Sequence, residues 1–440
     1  MFSNILIYLI HIAEEINIIL WGYCGFSLII ISGFYLSIYS KFFQIIKFPK
    51  IIFYFWHCLK SNNNNKADGI HPIKIFFASL GGCVGIGNIT TTALAVQIGG
   101  PGVLIWMWLI AFLGMTLKYA EIFLGLKYRI KYLNEYLGGP MYFLGHAFPY
   151  FRGITYIAAI FMCIYGVEIY MFTVIRDSIS ANLHIHRYTV SIFLIIIILL
   201  GIKGGIHRIS NITTILIPSF VIIFLIMVSY VLIININKIP EAFISIFRSA
   251  FNGHAAIGGF IGSTLLLTIS KGASTASYSG DVGIGYASII HSQARTNDIR
   301  QQSALSVLGV FLDTFIICTS SILLIVVTDV WQENINSNLL IQTSLQRYFP
   351  YMNLFMPFLL FILGYSTILP YMEAGIKAAF YISPKYGTKG FIIYSISILI
   401  IFSYVEAREA LTIMNIVGGF LMLINLIGIM KLHKKIDYNF

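Results

Sequence analysis

The chain has 440 residues, 58% of them hydrophobic and 10% charged, with a mean hydropathy of +0.85. A soluble domain of this length needs far more charge to cover its surface, so the solvent must be lipid. The net charge of +11 is therefore no sign of nucleic acid: Lys and Arg fall mostly in alternate loops, the pattern that orients a protein in a membrane.

Apolar segments long enough to span a bilayer recur along the whole chain. The first is Ile18–Ser37, followed by a basic, aromatic stretch, Lys41–Lys60, of interfacial character, and a polar loop, Ser61–Gly69. Then come Ile73–Ile98, Val103–Leu126, Ile154–Val174, Tyr188–Ile202 and Thr213–Ile234. The seventh, His254–Ile290, is too long for one simple helix. Ser303–Val327, Met352–Tyr371, Phe391–Tyr404 and Leu411–Met430 complete about eleven spans of an all-α integral membrane protein. Lys41, Lys47, Lys127, Arg129, Lys203, Arg208, Arg295, Arg300, Lys385 and Lys434 mark one side as cytoplasmic. The other side carries few basic residues, among them Arg176, Arg187, Arg347 and Arg408. The expected placement is a bacterial inner membrane, with the N-terminus outside, the C-terminus inside and no cleaved signal peptide. Cys24, Cys58, Cys83, Cys163 and Cys318 show no paired spacing, and His184-Ile185-His186 has no third ligand nearby, so no disulfide frame, metal site or cofactor is expected.

Two spans are interrupted. The second contains Gly81-Gly82-Cys83-Val84-Gly85-Ile86-Gly87-Asn88, and the seventh runs from Lys271-Gly272 through Ser279-Gly280-Asp281-Val282-Gly283-Ile284-Gly285. Clustered Gly weakens a helix by about 1 kcal/mol per residue relative to Ala. Unwound backbone at membrane depth is tolerated only where protein encloses it. The two segments lie five spans apart and so cross in opposite senses, as an inverted five-plus-five repeat requires. This divides the chain into an extra span and basic segment, 1–70, a first repeat, 71–235, and a second repeat with a tail, 236–440. Close helix packing also uses small residues, but it does not explain the matched positions or an acid at mid-membrane.

The residues resemble the alanine or glycine:cation symporter family over nearly the whole chain beyond the first span. Gly87-Asn88-Ile89, Gly99-Gly100-Pro101-Gly102, Trp106-Met107-Trp108, Lys118-Tyr119-Ala120-Glu121 and Gly138-Gly139-Pro140-Met141-Tyr142 carry the likeness. So do Gly204-Gly205-Ile206-His207-Arg208-Ile209 and Leu308-Gly309-Val310-Phe311-Leu312-Asp313-Thr314, in order and spacing. The resemblance implies a LeuT-like fold and symport of a small amino acid, alanine or glycine, with a cation, Na⁺ before H⁺. The seventh span departs from the family's Arg-Gly-Leu-Phe-Ser-Asn-Glu-Ala-Gly pattern: the side-chain amide is missing and the carboxylate, Asp281, is one methylene shorter. The family's Thr before Gly-Asn is Ile86.

Asn88 either offers an amide oxygen to Na⁺, a hard cation, or makes an interhelical hydrogen bond. Asp281 either holds a cation or proton, or caps a half-helix N-terminus. Thr90, Thr91, Ser277 and Ser279 offer hydroxyls to a substrate carboxylate or an ion, beside Gly280 and Asp281 at the unwound backbone, or simply pack helices. The resemblance implies a second cation site from Ser366 and Thr367 with carbonyls of Gly82 and Gly85. Lys118 and Glu121, three apart near the cytoplasmic end, read as an intrahelical pair or as interfacial side chains. Asp313 and Glu168 are candidates for gating or structural contacts.

A secondary transporter with a small amino acid, Na⁺ or H⁺ and the bilayer as its partners is the leading reading. No GxxxxGK[ST] motif suggests a nucleotide. A channel would gain its pore by repetition or oligomers, and an enzyme would need an acid–base constellation that no motif supplies. A transport-inactive nutrient sensor, or an H⁺-coupled carrier of another solute, is the alternative raised by the altered seventh span.

Overall fold

Every apolar segment expected to span the bilayer carries a helix or a broken pair of helices in the computed structural model, which describes residues 12–60, 69–133, 135–252, 265–296 and 298–439. The first span is α1 (Ile12–Tyr39). The basic stretch folds as α2 (Phe48–Lys60), burying Ile51 and Cys58 while Phe53 and Trp56 stay exposed, the two-faced character expected of an interfacial helix. The second span is broken into α3 (Pro72–Cys83) and α4 (Gly87–Gly99), and is followed by α5 (Val103–Lys127).

A hairpin not foreseen from hydropathy follows, β1 (Ile130–Tyr132) with β2 (Glu135–Leu137), antiparallel with Ile130 opposite Leu137. A short helix, α6 (Pro140–Ala147), comes next. The fourth span is itself divided into α7 (Gly153–Tyr165) and α8 (Ile169–Leu183), and α9 (Arg187–Ile202) and α10 (Gly205–Ile234) end the first half. An amphipathic helix, α11 (Ile239–Asn252), occupies a stretch read as loop.

His254 and the start of the seventh expected span lie outside the described residues; from Leu265 it forms α12 (Leu265–Gly280) and α13 (Tyr286–Ser292). Then come α14 (Ile299–Val327), α15 (Met352–Ile382), α16 (Gly387–Phe402) and α17 (Ala407–Lys431).

The two halves repeat one plan. In each, a broken pair is followed by a long helix, then a span of 31 residues, a short helix of 16, and a long closing helix. The short helices form the expected fifth and tenth spans, and their equal length is a second signature of the repeat.

The helix faces name their solvents. Ile215, Ile222, Ile226 and Ile233 recur along one face of α10 and are each more than half exposed. In a chain this apolar, lipid is the solvent that suits such a stripe. The apolar core of α3 and α4 is instead 94% buried, the largest share among the candidate spans. The broken pair is thus the axis of the molecule. It is enclosed by α12, α10 and α15, while α5 packs along α12 and α14.

Candidate functional site: two helix breaks joined by buried charge

The first break opens because Gly81, Gly82, Gly85 and Gly87 weaken the helix together and a side chain replaces the lost backbone partner. Val84 leaves helical geometry at ψ 88°. The Asn88 amide oxygen accepts the Gly85 N–H at 3.0 Å. The amide nitrogen donates to Asp313 Oδ1 at 2.6 Å and lies 3.2 Å from Cys318 Sγ. The interhelical hydrogen bond weighed for Asn88 is therefore present, and its partner is an acid.

Asp313 is fully buried. It projects from α14 where residues Phe311–Cys318 wind as a π-helix, a distortion frequent at functional sites. Thr314 Oγ1 donates to its Oδ2 at 2.8 Å and Ser279 Oγ at 3.3 Å. Among the described residues no Lys or Arg pairs with it. Asp313 thus ties the first break to the second through neutral donors alone.

The second break spans residues 281–285. Asp281 adopts the left-handed conformation at φ +49°, and its Oδ2 accepts the Ala287 N–H at 2.9 Å. This is the half-helix cap considered for it. Its Oδ1 is buried with no hydrogen-bond partner.

Lys118 corrects the expectation of an intrahelical pair or an interfacial side chain. Only 2% exposed, it crosses from α5 into the gap between the breaks. Its Nζ donates to Gly280 O at 2.6 Å, lies 2.9 Å from Cys83 Sγ and is 3.8 Å from Asp281 Oδ2. Glu121, fully buried, turns elsewhere. It accepts the Ser288 N–H of α13 at 3.2 Å and the Asn425 side-chain amide of α17 at 3.2 Å. Residues three apart on one helix face are drawn to different partners, because each satisfies an unwound or half-helical backbone group that helix periodicity cannot reveal.

The remaining candidates separate. Thr90 Oγ1 pairs with the Tyr170 hydroxyl at 2.7 Å, whereas Thr91 bonds back to Gly87 O within its own helix. The Ser277 hydroxyl is buried without a hydrogen-bond partner. Thr367 Oγ1 lies 2.8 Å from Gly81 O and 3.0 Å from Leu363 O, and Ser366 Oγ donates to Leu363 O at 2.8 Å. Thr367 can approach because Gly85 has no side chain; a Cβ there would stand 2.4 Å from its hydroxyl oxygen. Gly82 faces away from this pair, toward the Tyr286 ring, which stacks on Tyr371 at 4.1 Å. The carbonyl nearest the Thr367 hydroxyl is that of Gly81, one residue before the expected Gly82.

Among the described residues, the cavities beside the two breaks differ in size. A cavity of about 400 Å³ lies on the face of Arg187 and Arg408 and reaches down to Tyr170. Beside it a cavity of about 20 Å³ is lined by Thr91, Lys271, Ser274, Thr275, Tyr278 and Asn415. Beyond the breaks, next to Lys118 and His291, the space shrinks to about 10 Å³.

Residues 7–438 match the sequence profile of the sodium:alanine symporter family. The chain belongs to that family. Among its relatives is the sodium/alanine symporter AgcS of Methanococcus maripaludis, 28% identical, with 96% of this chain and 94% of the relative aligned. An uncharacterized transporter of Haemophilus influenzae is 29% identical, over 97% of this chain and 94% of its own. Among solved structures, MhsT in complex with L-phenylalanine superposes with a TM-score of 0.59, covering 81% of this chain and 89% of that one, at 14% identity. That likeness bears on the fold, and it accords with a LeuT-like inverted repeat with two broken helices. The family member described here is a multi-pass membrane transporter.

Proposed function

We propose that the protein is a secondary transporter that imports a small neutral amino acid, alanine or glycine, together with Na⁺ by alternating access. The observation that carries the reading is Asp313. A buried carboxylate without a cationic partner is costly in the membrane, and a coupling ion supplies the missing charge. The donors around it are oxygens: the carboxylate, the Ser279 and Thr314 hydroxyls and, after a small shift, the Asn88 amide. This hard set suits Na⁺. In this reading Asp281, matched by Lys118 and bonded to α13, is the half-helix cap, and Asp313 carries the coupling charge.

The 400 Å³ cavity is then the outer vestibule, with the N-terminus outside and the C-terminus cytoplasmic, as the basic loops require. Lys118, Glu121 and Asn425 form the closed inner gate. They tie α12 and α13 to α3, α5 and α17 below the breaks. Thr367 with Gly81, Gly85 and Ser366 offers oxygens for a second cation.

The test is uptake of labelled alanine and glycine into proteoliposomes under an inward Na⁺ gradient, an H⁺ gradient, or neither. Saturable uptake driven by Na⁺ and lost in Asn88→Ala is the expected result. Uptake driven by H⁺ alone would move the coupling to a proton on Asp313. No gradient-driven uptake of either amino acid would refute the substrate assignment.

A further inference from the structure

Glu168 belongs to neither break. It interrupts a third helix: α7 ends at Tyr165, α8 begins at Ile169, and Glu168 between them takes φ 53° and ψ 53°. A non-glycine residue in this region is strained, and a carboxylate at mid-membrane is costly, so two unfavourable features coincide on one side chain. It is fully buried. One carboxylate oxygen accepts the Tyr278 hydroxyl; the other, Oε2, is buried with no hydrogen-bond partner. Among the described residues no Lys or Arg pairs with it.

Its surroundings are aromatic. The Tyr278 ring is 6.4 Å from that of Tyr165 and 6.1 Å from that of Tyr170, both near edge-to-face. Tyr278 also packs on the first break, its ring 3.6 Å from where a Cβ on Gly87 would sit, and Tyr170 holds Thr90. Tyr170 lines the larger cavity and Tyr278 the smaller one. The two tyrosines therefore separate the vestibule from a carboxylate with an unused oxygen. A carboxylate among aromatic rings is the chemistry that receives an ammonium group. Asp281 is already matched by Lys118.

We propose that Glu168 binds the ammonium group of the transported amino acid, which enters as the Tyr278 hydroxyl withdraws. This rests on the amino-acid transport reading above. Glu168 then sets specificity for an amine and explains a strained residue where glycine would be easier.

The experiment is equilibrium binding of labelled alanine to the purified full-length protein in Na⁺, with unlabelled lactate, whose hydroxyl replaces the ammonium, as competitor. Glu168→Gly and Glu168→Gln are compared with the parent. Glu168→Gly removes the carboxylate and relieves the backbone, so it should unfold at a higher temperature, yet bind alanine at least tenfold more weakly. The preference for alanine over lactate should shrink, while the thermal shift produced by NaCl alone is retained. Glu168→Gln should weaken binding similarly. Unchanged alanine affinity in a folded Glu168→Gly protein, or an unchanged alanine-to-lactate ratio, would overturn the ammonium assignment and leave the transport reading standing. No alanine or glycine binding by the parent protein would overturn both.

Discussion

Replacing Asp313 by Asn tests the coupling charge with almost no change of volume. In the folded chain the carboxylate accepts from Asn88, Thr314 and Ser279 at 2.6, 2.8 and 3.3 Å. An amide can still accept from Asn88 with its oxygen and donate its NH2 to the Thr314 or Ser279 hydroxyl, since a hydroxyl accepts as well as donates. The neutral side chain also no longer carries an uncompensated charge in the membrane. The ion-free protein should therefore unfold at an unchanged or higher temperature. The effect on Na⁺ is separate. A unit charge about 4 Å from a cation contributes up to ~4 kcal/mol at an effective dielectric constant of about 20. Allowing half of this for relaxation leaves ~2 kcal/mol, or roughly a 30-fold rise in the Na⁺ concentration for half-maximal uptake. Alanine uptake into proteoliposomes at stepped internal and external Na⁺ reads this directly. A half-maximal Na⁺ concentration within twofold of the parent's, in a protein with normal maximal uptake, would refute Asp313 as the coupling acid.

Four further variants probe other positions. Lys118→Met removes the cation that faces Asp281 and the donor to Gly280 O; it should destabilise the protein by about 3–5 kcal/mol, and adding Asp281→Asn should recover part of the loss, as a double-mutant thermal-unfolding cycle would show. Gly82→Ala sets a methyl carbon 2.4 Å from the Tyr286 ring, an overpacking cost of about 1–3 kcal/mol. Gly390→Ala in α16 meets nothing within 4 Å and should stabilise slightly, by up to about 1 kcal/mol, which makes it the control for the same unfolding assay. Thr367→Val removes the hydroxyl near Gly81 O and should raise the Na⁺ requirement while leaving the Asn88–Asp313 contact intact, a pattern that ²²Na⁺ binding to both variants would separate.

The spans and the breaks were legible because they depend on local composition. An apolar run long enough to cross lipid has few alternatives to a helix, and Gly81, Gly82, Gly85 and Gly87 weaken that helix whatever surrounds them. Asn88 and Asp281 could be chosen as site residues for the same reason. Their partners could not be read. Asn88 meets Asp313 across 225 positions, and Lys118 meets Gly280 across 162. The short spacing of Lys118 and Glu121 suggested a local pair that folding does not make. Glu168 stood out only as an acid inside an apolar span; the third interruption it makes could not be read, since only its backbone angle marks it. The hairpin at Ile130–Leu137 and the amphipathic α11 were missed because hydropathy over a span-sized window averages away short, two-faced elements.

The connections between the breaks bear on how an ion and a substrate could be made to move together. Asn88 holds Gly85 of the first break with its oxygen and Asp313 with its nitrogen, while Ser279, just before the second break, reaches the same carboxylate. A cation that draws Asp313 toward itself must therefore pull on both interruptions at once. One residue beyond Ser279, Gly280 gives its carbonyl to Lys118, which also touches Cys83 at the end of α3. Any movement of Ser279 is thus transmitted to the inner contact through a single peptide unit, a rigid and short path. The outer contact is built differently: Tyr278, on the other side of Ser279, reaches Glu168 and covers Gly87. Three consecutive residues, Tyr278, Ser279 and Gly280, thereby reach Glu168, Asp313 and Lys118 in turn. Because these side chains and carbonyls share one stretch of backbone, the outer tyrosine and the inner lysine contacts cannot adjust independently of Asp313. Coupling by alternating access needs that linkage, and it predicts that lengthening the segment by one residue between Tyr278 and Gly280 would uncouple Na⁺ binding from alanine binding even if each survived alone.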